Sequence, residues 1–423
     1  MPMKRAVVVI CDGLRADMVC PDWTPNLCRL AQQSRVFTKH RSVFPSTTRT
    51  TAASIATGCH PAHHGLEGNC VALDEGNGLT AISVGPAGFR ERLKKVTGQT
   101  LRVPTLSERL VDFGGAVVFS NVSPGAAYFH DPDGHGFVFH RSGSFGPGLQ
   151  EIDAGGHLDV SHDAAGDSEM TTRFCDEVLG QRKPAYALLW QCEPDHTQHA
   201  KPLGSPEHLD VIRTADANAG RIADLVERQN EAGEDILLIV ASDHGHETVE
   251  RTLPLSDLLV EAGLKERSDS SDVVIASNGL SAHIYVSDEA RLGLNGIVEF
   301  LNKTDGIAQV FSGDQLKELG HRTDTPLAIS VITERNNSEN PFGIPGHSIA
   351  IDDSLLSDSN PGCGQHGGLG TFEQNPFLMV RGGGFVAGSE NVNDSSAIDL
   401  APTVLRHLGI AGQGMDGRSL AKG

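Results

Sequence analysis

The chain has 423 residues, 39% of them hydrophobic, with 48 glycines and 21 prolines, a composition that fits a loop-rich globular α/β protein able to bury a large core. Its 54 acidic and 34 basic residues leave a net charge of −20, which argues against nucleic acid polymers and anionic membranes as partners but allows a local positive site for a phosphate. The eight cysteines form no CxxC pair and no apolar run reaches transmembrane length, so the expected location is cytoplasmic.

Residues 6–11, Ala-Val-Val-Val-Ile-Cys, are apolar without interruption, which predicts a strand buried on both faces of a parallel sheet. It ends in Asp12-Gly13. A carboxylate there stands where open α/β sheets place their sites, although Asp-Gly is also a common turn. Thr24 and Pro25 read as the N-cap and first position of a helix. Residues 44–58 then place a run of hydroxyls (Ser46, Thr47, Thr48, Thr50, Thr51) ahead of and into a small-residue helix that stops at Gly58. Such hydroxyls are ordinary caps, but one at a helix N-terminus also has the geometry of a nucleophile facing a phosphorus held in the helix dipole field. A threonine alkoxide does not form unaided near neutral pH, so the second reading requires a metal ion.

Residues 66–105 read as irregular and glycine-rich, followed by a capped helix at Thr105 and a core strand at 116–119. Residues 121–162 carry five histidines (130, 135, 140, 157 and 162) without tight metal-site spacing, which favours a substrate-facing surface over a further metal site. Residues 185–192 form another buried strand, and just beyond it Asp195 and His199 are four apart, so one helical turn puts both on one side. An amphipathic helix over 207–228 leads into a third buried strand, 236–241, which ends in Asp243, His244 and His246. Residues 249–345 read as an α+β insertion, a cap, in a core made of 1–248 and 346–423. After it, His366 lies among glycines, a last core strand covers 377–380, and a closing helix opens at 399.

Asp12, Thr48, Asp195, His199, Asp243, His244 and His366 thus comprise six metal ligands of the hard or borderline type and one hydroxyl, enough for two divalent ions with three protein ligands each. In this order, together with Thr57-Gly58, His64-Gly65, Gln365-His366-Gly367-Gly368 and Asp399-Leu400-Ala401-Pro402-Thr403, the chain resembles the alkaline phosphatase superfamily. The pattern is most similar to its nucleotide pyrophosphatase/phosphodiesterase and phosphonoacetate hydrolase branches. The resemblance implies an α/β/α sandwich with a mostly parallel sheet. It implies one zinc ion on Asp195, His199 and His366, a second on Asp12, Asp243 and His244, and transient phosphorylation of Thr48. It further implies a small phosphorylated or phosphonate substrate and is compatible with a homodimer. Two departures bear on the substrate: Thr51 stands where the branch carries an asparagine, and Arg49 where the phosphodiesterases tend to carry an aromatic residue. Arg49, Thr51 and Asn69 are the expected substrate-binding residues. Hydrolysis of a phosphodiester or nucleotide pyrophosphate is the leading expectation, with a phosphomonoesterase or phosphonate hydrolase as the alternative.

Overall fold

The computed structural model describes residues 3–352 and 359–421, so positions 1–2, 353–358 and 422–423 of the expected core lie outside the described residues. Lys4–Cys11 runs near the middle of a ten-stranded sheet. Tyr186–Gln191 and Asp235–Ala241 lie on either side of it, both parallel, with Cys11 level with Gln191 and Ile10 level with Ala241. Ala116–Ser120 and Phe137–Phe139 continue the parallel set outward, while Leu378–Arg381 joins Asp235–Ala241 antiparallel.

The apolar runs within the central strands, 6–11, 186–190 and 236–241, have a direct cause in the layers around them. Val7, Val9 and Cys11 face Ile212, Ala215, Ala219 and Ile222 of the helix Pro206–Glu231. The alternate residues Ala6, Val8 and Ile10 face Ala52 and Ile55 of the helix Thr48–Thr57, and Val404 and Leu405 of Leu400–Leu408. Both faces are covered, which gives the expected α/β/α sandwich. Each fully buried aliphatic side chain contributes about 1.5–3 kcal/mol. Ser205 caps the long helix by accepting from the His208 N–H, with Pro206 at its first position.

Two further four-stranded sheets follow. Glu247–Leu253 pairs in parallel with Pro345–Ile351 and antiparallel with Gly364–Gln365, and the latter pairing carries His366 back to the strand ends. An antiparallel sheet of Val273–Ser277, Ser281–Val286, Leu327–Thr333 and Ile307–Ser312 has its own core, with Leu255, Leu259, Ile297 and Leu301 on its helices. The segment 249–345 therefore leaves and re-enters through neighbouring strands of one sheet.

Three sequence expectations change. Residues 66–105 are not irregular: Cys70–Asp74 and Leu79–Ser83 form a hairpin, and Phe89–Thr97 a helix. Asp74 Oδ1 closes the turn by accepting from the N–H groups of Gly76 and Gly78, at 2.7 and 3.0 Å. Thr24 does not cap its helix; its Oγ1 accepts from Cys20 N at 2.9 Å and closes the preceding turn. His130 and His140 are core residues, not substrate-facing ones. His130 packs against Trp190, and His140 Nε2 lies 2.8 Å from the Val122 carbonyl.

Candidate metal centre and active site

Asp12, Asp195 and Asp243 all lie just past the carboxyl ends of the three central strands, which parallel register brings side by side. The backbone locks them together: Asp195 N donates to Asp12 O at 3.1 Å, and Gly13 N donates to Asp243 Oδ1 at 3.1 Å. Trp190, the last-but-one residue of its strand, donates from Nε1 to Asp12 Oδ2 at 2.9 Å. The other oxygens, Asp12 Oδ1 and Asp243 Oδ2, are buried and have no hydrogen-bond partner among the described residues.

Both orphaned oxygens face His244, whose Nε2 lies 3.0 Å from Asp243 Oδ2 and 3.5 Å from Asp12 Oδ1. Burial, with Asp243 and Asp195 as like charges, holds the Asp12 carboxyl well above its usual range. Burial pulls the His244 imidazolium down, yet the attraction of Asp243 and Asp195 outweighs it and the net shift is upward. Crowded carboxylates with unfilled oxygens around a ring nitrogen call for a positive charge in the middle, a proton or a cation. The donor set of two carboxylates and one imidazole suits a divalent ion.

The second group forms around Asp195, which starts a short helical turn, Asp195–Gln198. His199 closes that turn and brings Nε2 to 3.4 Å from Asp195 Oδ1, while His366 Nε2 comes to 3.5 Å. His366 Nδ1 sits 2.8 Å from the Ser46 carbonyl, so it carries the proton and leaves Nε2 bare toward the aspartate. His244 is arranged alike, with Nδ1 3.2 Å from Gly245 O.

His246 lies in the same cluster, and the sequence marks it as metal-competent without placing it in the ligand set. Its tautomer separates it from the others. Burial pushes its pKa down to about 4, so the ring is neutral and holds one proton. Nδ1 is buried without an acceptor, whereas Nε2 is 2.7 Å from Asp195 Oδ1. The proton therefore sits on Nε2 and is donated to Asp195, which His246 orients.

Thr48 is the first residue of its helix, and its Oγ1 stands 3.1 Å from His244 Nε2. It opens onto a cavity of about 160 Å³ also lined by Asp12, Asp195, His199 and His366. Arg49 and Asn69 line the same cavity, but Thr51 does not: it is fully buried and its hydroxyl faces Ser42 at 3.2 Å. The expectation that Thr51 binds substrate is thereby corrected: it follows Thr48 by one turn on the same side of the helix, but its short side chain is covered and meets Ser42 instead of reaching the cavity. Asn69 Oδ1 accepts from Arg49 N at 3.1 Å, and its NH₂ group makes no hydrogen bond among the described residues. Arg49 is held by Ser123 Oγ at 3.1 Å and the Asn69 carbonyl at 3.4 Å.

Of the remaining lining, His162 lies in the stretch the sequence reads as substrate-facing, whereas His196, Asn278 and Gly279 escaped sequence reasoning. The rings of His162 and His196 meet on one side, tilted by 39° with centroids 4.2 Å apart, and Asn278 and Gly279 close another. Asn278 reaches the site through the antiparallel sheet's turn, where its Oδ1 accepts from Asn69 N at 2.6 Å. The turn presses so closely on the His366 loop that a Cβ on Gly367 (φ 107°) would meet Asn278 O at 1.6 Å.

The structure of murine ectonucleotide pyrophosphatase / phosphodiesterase 5 in complex with AMP superposes with a TM-score of 0.70 over 98% of this chain and 97% of that one, at 17% identity. Phosphonoacetate hydrolase from Sinorhizobium meliloti 1021, in complex with phosphonoformate, gives 0.68 over 96% of each chain at 18% identity. At such identities the likeness speaks for the fold. No curated protein matches the sequence. The sequence profile described as type I phosphodiesterase / nucleotide pyrophosphatase does match, over residues 6–296, a span that includes Asp12, Thr48, Asp195, His199, Asp243 and His244. The chain belongs to the type I phosphodiesterase / nucleotide pyrophosphatase family.

Proposed function

We propose that the protein is a metal-dependent hydrolase that cleaves a phosphodiester or nucleotide pyrophosphate bond through a phosphothreonine at Thr48. The observation that carries this reading is the Thr48 hydroxyl, at a helix N-terminus and 3.1 Å from His244 Nε2, at the junction of the two ligand groups. Asp195, His199 and His366 would hold one divalent ion and Asp12, Asp243 and His244 another, zinc by their donor types. When bound, such ions lower the pKa of a neighbouring hydroxyl and neutralise phosphoryl oxygens.

The chain's own groups do the rest. The first turn of the Thr48 helix directs its N–H dipoles at the phosphoryl group. The NH₂ of Asn69 is available to donate to a phosphoryl oxygen, and His246 keeps Asp195 in its orientation. Thr48 Oγ forms its bond to phosphorus as the bond to the leaving group breaks, and its proton leaves through the open cavity. Water then takes the phosphoryl group and returns a proton to Thr48. The murine relative was crystallised with AMP as an inactive threonine-to-alanine variant, which supports a threonine in this role.

Arg49 favours a second reading, hydrolysis of a phosphomonoester or a phosphonate. Its guanidinium faces the cavity beside Thr48, and no Phe, Tyr or Trp among the described residues lines that cavity to stack a nucleobase. All eight cysteines are free, which supports a cytoplasmic location. Among the described residues no helix is long and apolar enough to cross a membrane.

The test is an assay of mono-, di- and phosphonate esters with wild type and Thr48→Ala. The variant should keep its metal content and lose multiple turnover on every substrate. Turnover at the wild-type rate would move the nucleophile elsewhere, with Thr47 next in line.

A further inference from the structure

The helix that begins at Thr48 ends at Thr57, about 15 Å away at 1.5 Å per residue, and its far end holds a second set of metal-competent groups. Cys59 follows the helix and is fully buried. His63 lies on the short helix Pro61–His64, with Nδ1 2.7 Å from Asp416 Oδ1. One donor atom each from Cys59, His63 and Asp416 all fall within 4.8 Å of one another.

The backbone fixes the carboxylate before any ligand is considered, while the Cys59 thiol donates to the Thr57 and Gly414 carbonyls, at 3.7 and 3.5 Å. Asp416 N and Gly417 N both donate to Gly58 O at 3.0 Å, pinning the C-terminal segment to the helix end. His60 N donates to Asp416 Oδ2 at 2.9 Å, so the carboxylate is fixed with its other oxygen toward His63. Met415 is wedged against Gly58, where a Cβ would meet its Sδ at 2.9 Å. His63 is 60% exposed, so its second ring nitrogen can donate to water while Nδ1 binds.

We propose that Cys59, His63 and Asp416 bind a divalent ion of their own, which fastens the C-terminal segment to the far end of the Thr48 helix. Thiolate, imidazole and carboxylate with one water make a tetrahedral set that selects zinc over magnesium or calcium. Burial, with the Asp416 charge, raises the Cys59 thiol, so the ion displaces a proton from sulfur on binding. The site shares no residue with the catalytic cavity and stands whatever reaction that cavity performs.

Cobalt titration of the full-length protein after chelator treatment tests it, because a thiolate ligand gives a near-ultraviolet charge-transfer band that oxygen and imidazole ligands do not. The band should saturate at one cobalt per chain in wild type, persist in Cys192→Ser, whose thiol lies at the catalytic cavity, and vanish in Cys59→Ser. His63→Ala, at an exposed position that any fold tolerates, should weaken cobalt binding at this site at least tenfold and lower zinc content by one ion per chain. A wild type without the band, a band that survives Cys59→Ser, or equal zinc content in wild type and His63→Ala would overturn the proposal.

Discussion

The two walls of the catalytic cavity are built in different ways. The ligand wall grows out of three adjacent parallel strands, so Asp12, Asp195 and Asp243 inherit their positions from sheet register and are buried or nearly so. The opposite wall is assembled from side chains on separate elements: Arg49 on its helix, Asn69 before the hairpin, Ser123 and His162 from the 121–162 stretch, and Asn278 from the antiparallel sheet's turn. The first wall fixes which chemistry is available. On the proposed function, the second would select what the substrate carries besides its phosphoryl group.

The ligand wall should show the largest effect. Asp243→Ala removes a carboxylate but only one backbone hydrogen bond, from Gly13 N, worth about 1 kcal/mol. We expect kcat/KM to fall by on the order of 10³ or more with a thermal midpoint within a few degrees of wild type. Loss of both activity and fold would mean that this wall is scaffold first and site second.

Acid should weaken the packing behind both walls next, since His130 lies against Trp190, which bonds Asp12, and His140 against the Val122 carbonyl. His130 and His140 are buried, and burial depresses their pKa values from 6.5 to about 3 and about 4. The unfolded chain takes up these protons below pH 6.5 and the folded chain does not. Stability is therefore complete above pH 6.5 and falls by about 1.4 kcal/mol per pH unit for each ring until the folded values are reached. Denaturant unfolding at pH 6.5 and 5.5 should differ by about 2 kcal/mol from this pair, because the unfolded rings are already half protonated at pH 6.5. His130→Phe should remove about half of the pair's contribution. An unchanged pH slope in that variant would show that His130 is not held neutral.

Arg49→Ala comes third. It should cost about 1.5–3 kcal/mol in kcat/KM on substrates with an additional negative charge, such as monoesters or phosphonates bearing a carboxylate, and much less on neutral-flanked diesters. Equal losses on both classes would assign Arg49 to local structure through Ser123 and Asn69, and would restore the plain phosphodiesterase reading.

The smallest effect belongs to His246. His246→Ala should weaken zinc affinity about tenfold, and His246→Gln, which restores an N–H donor to Asp195, should recover most of it. Were His246 a ligand, the two variants would lose an ion alike.

Why one wall was legible in the sequence and the other was not follows from this difference. An apolar run ending in a carboxylate announces a buried parallel strand and its functional end together, as at Asp12 and Asp243; Asp195 was marked by its four-residue spacing to His199, and the sandwich itself by the family resemblance. His366 depends on a two-residue pairing, Gly364–Gln365 with Glu247–Thr248, which has no periodicity to read; its place among glycines made it a candidate, and the family resemblance assigned it to an ion. Thr51 was misplaced because it stands where the resembled branch carries an asparagine; the shorter threonine is covered and meets Ser42, and that packing is not written in the sequence. The hairpin at 70–83 was missed because its alternation is short and its apolar partners, Ala276 and Tyr285 among them, lie some 200 residues away. His246 carried the right chemistry, but its role rests on which ring nitrogen finds a partner, and that is a property of the folded site alone.

The central claim is that Thr48 carries the phosphoryl group between substrate and water, and peptide mapping of protein quenched in acid during turnover tests it most directly. An activated aryl phosphate ester should leave phosphate on the peptide that contains Thr48, at that residue, with none in Thr48→Ala. Phosphate on Thr47 or Thr50, or a burst of product with no phosphorylated peptide at all, would contradict the account.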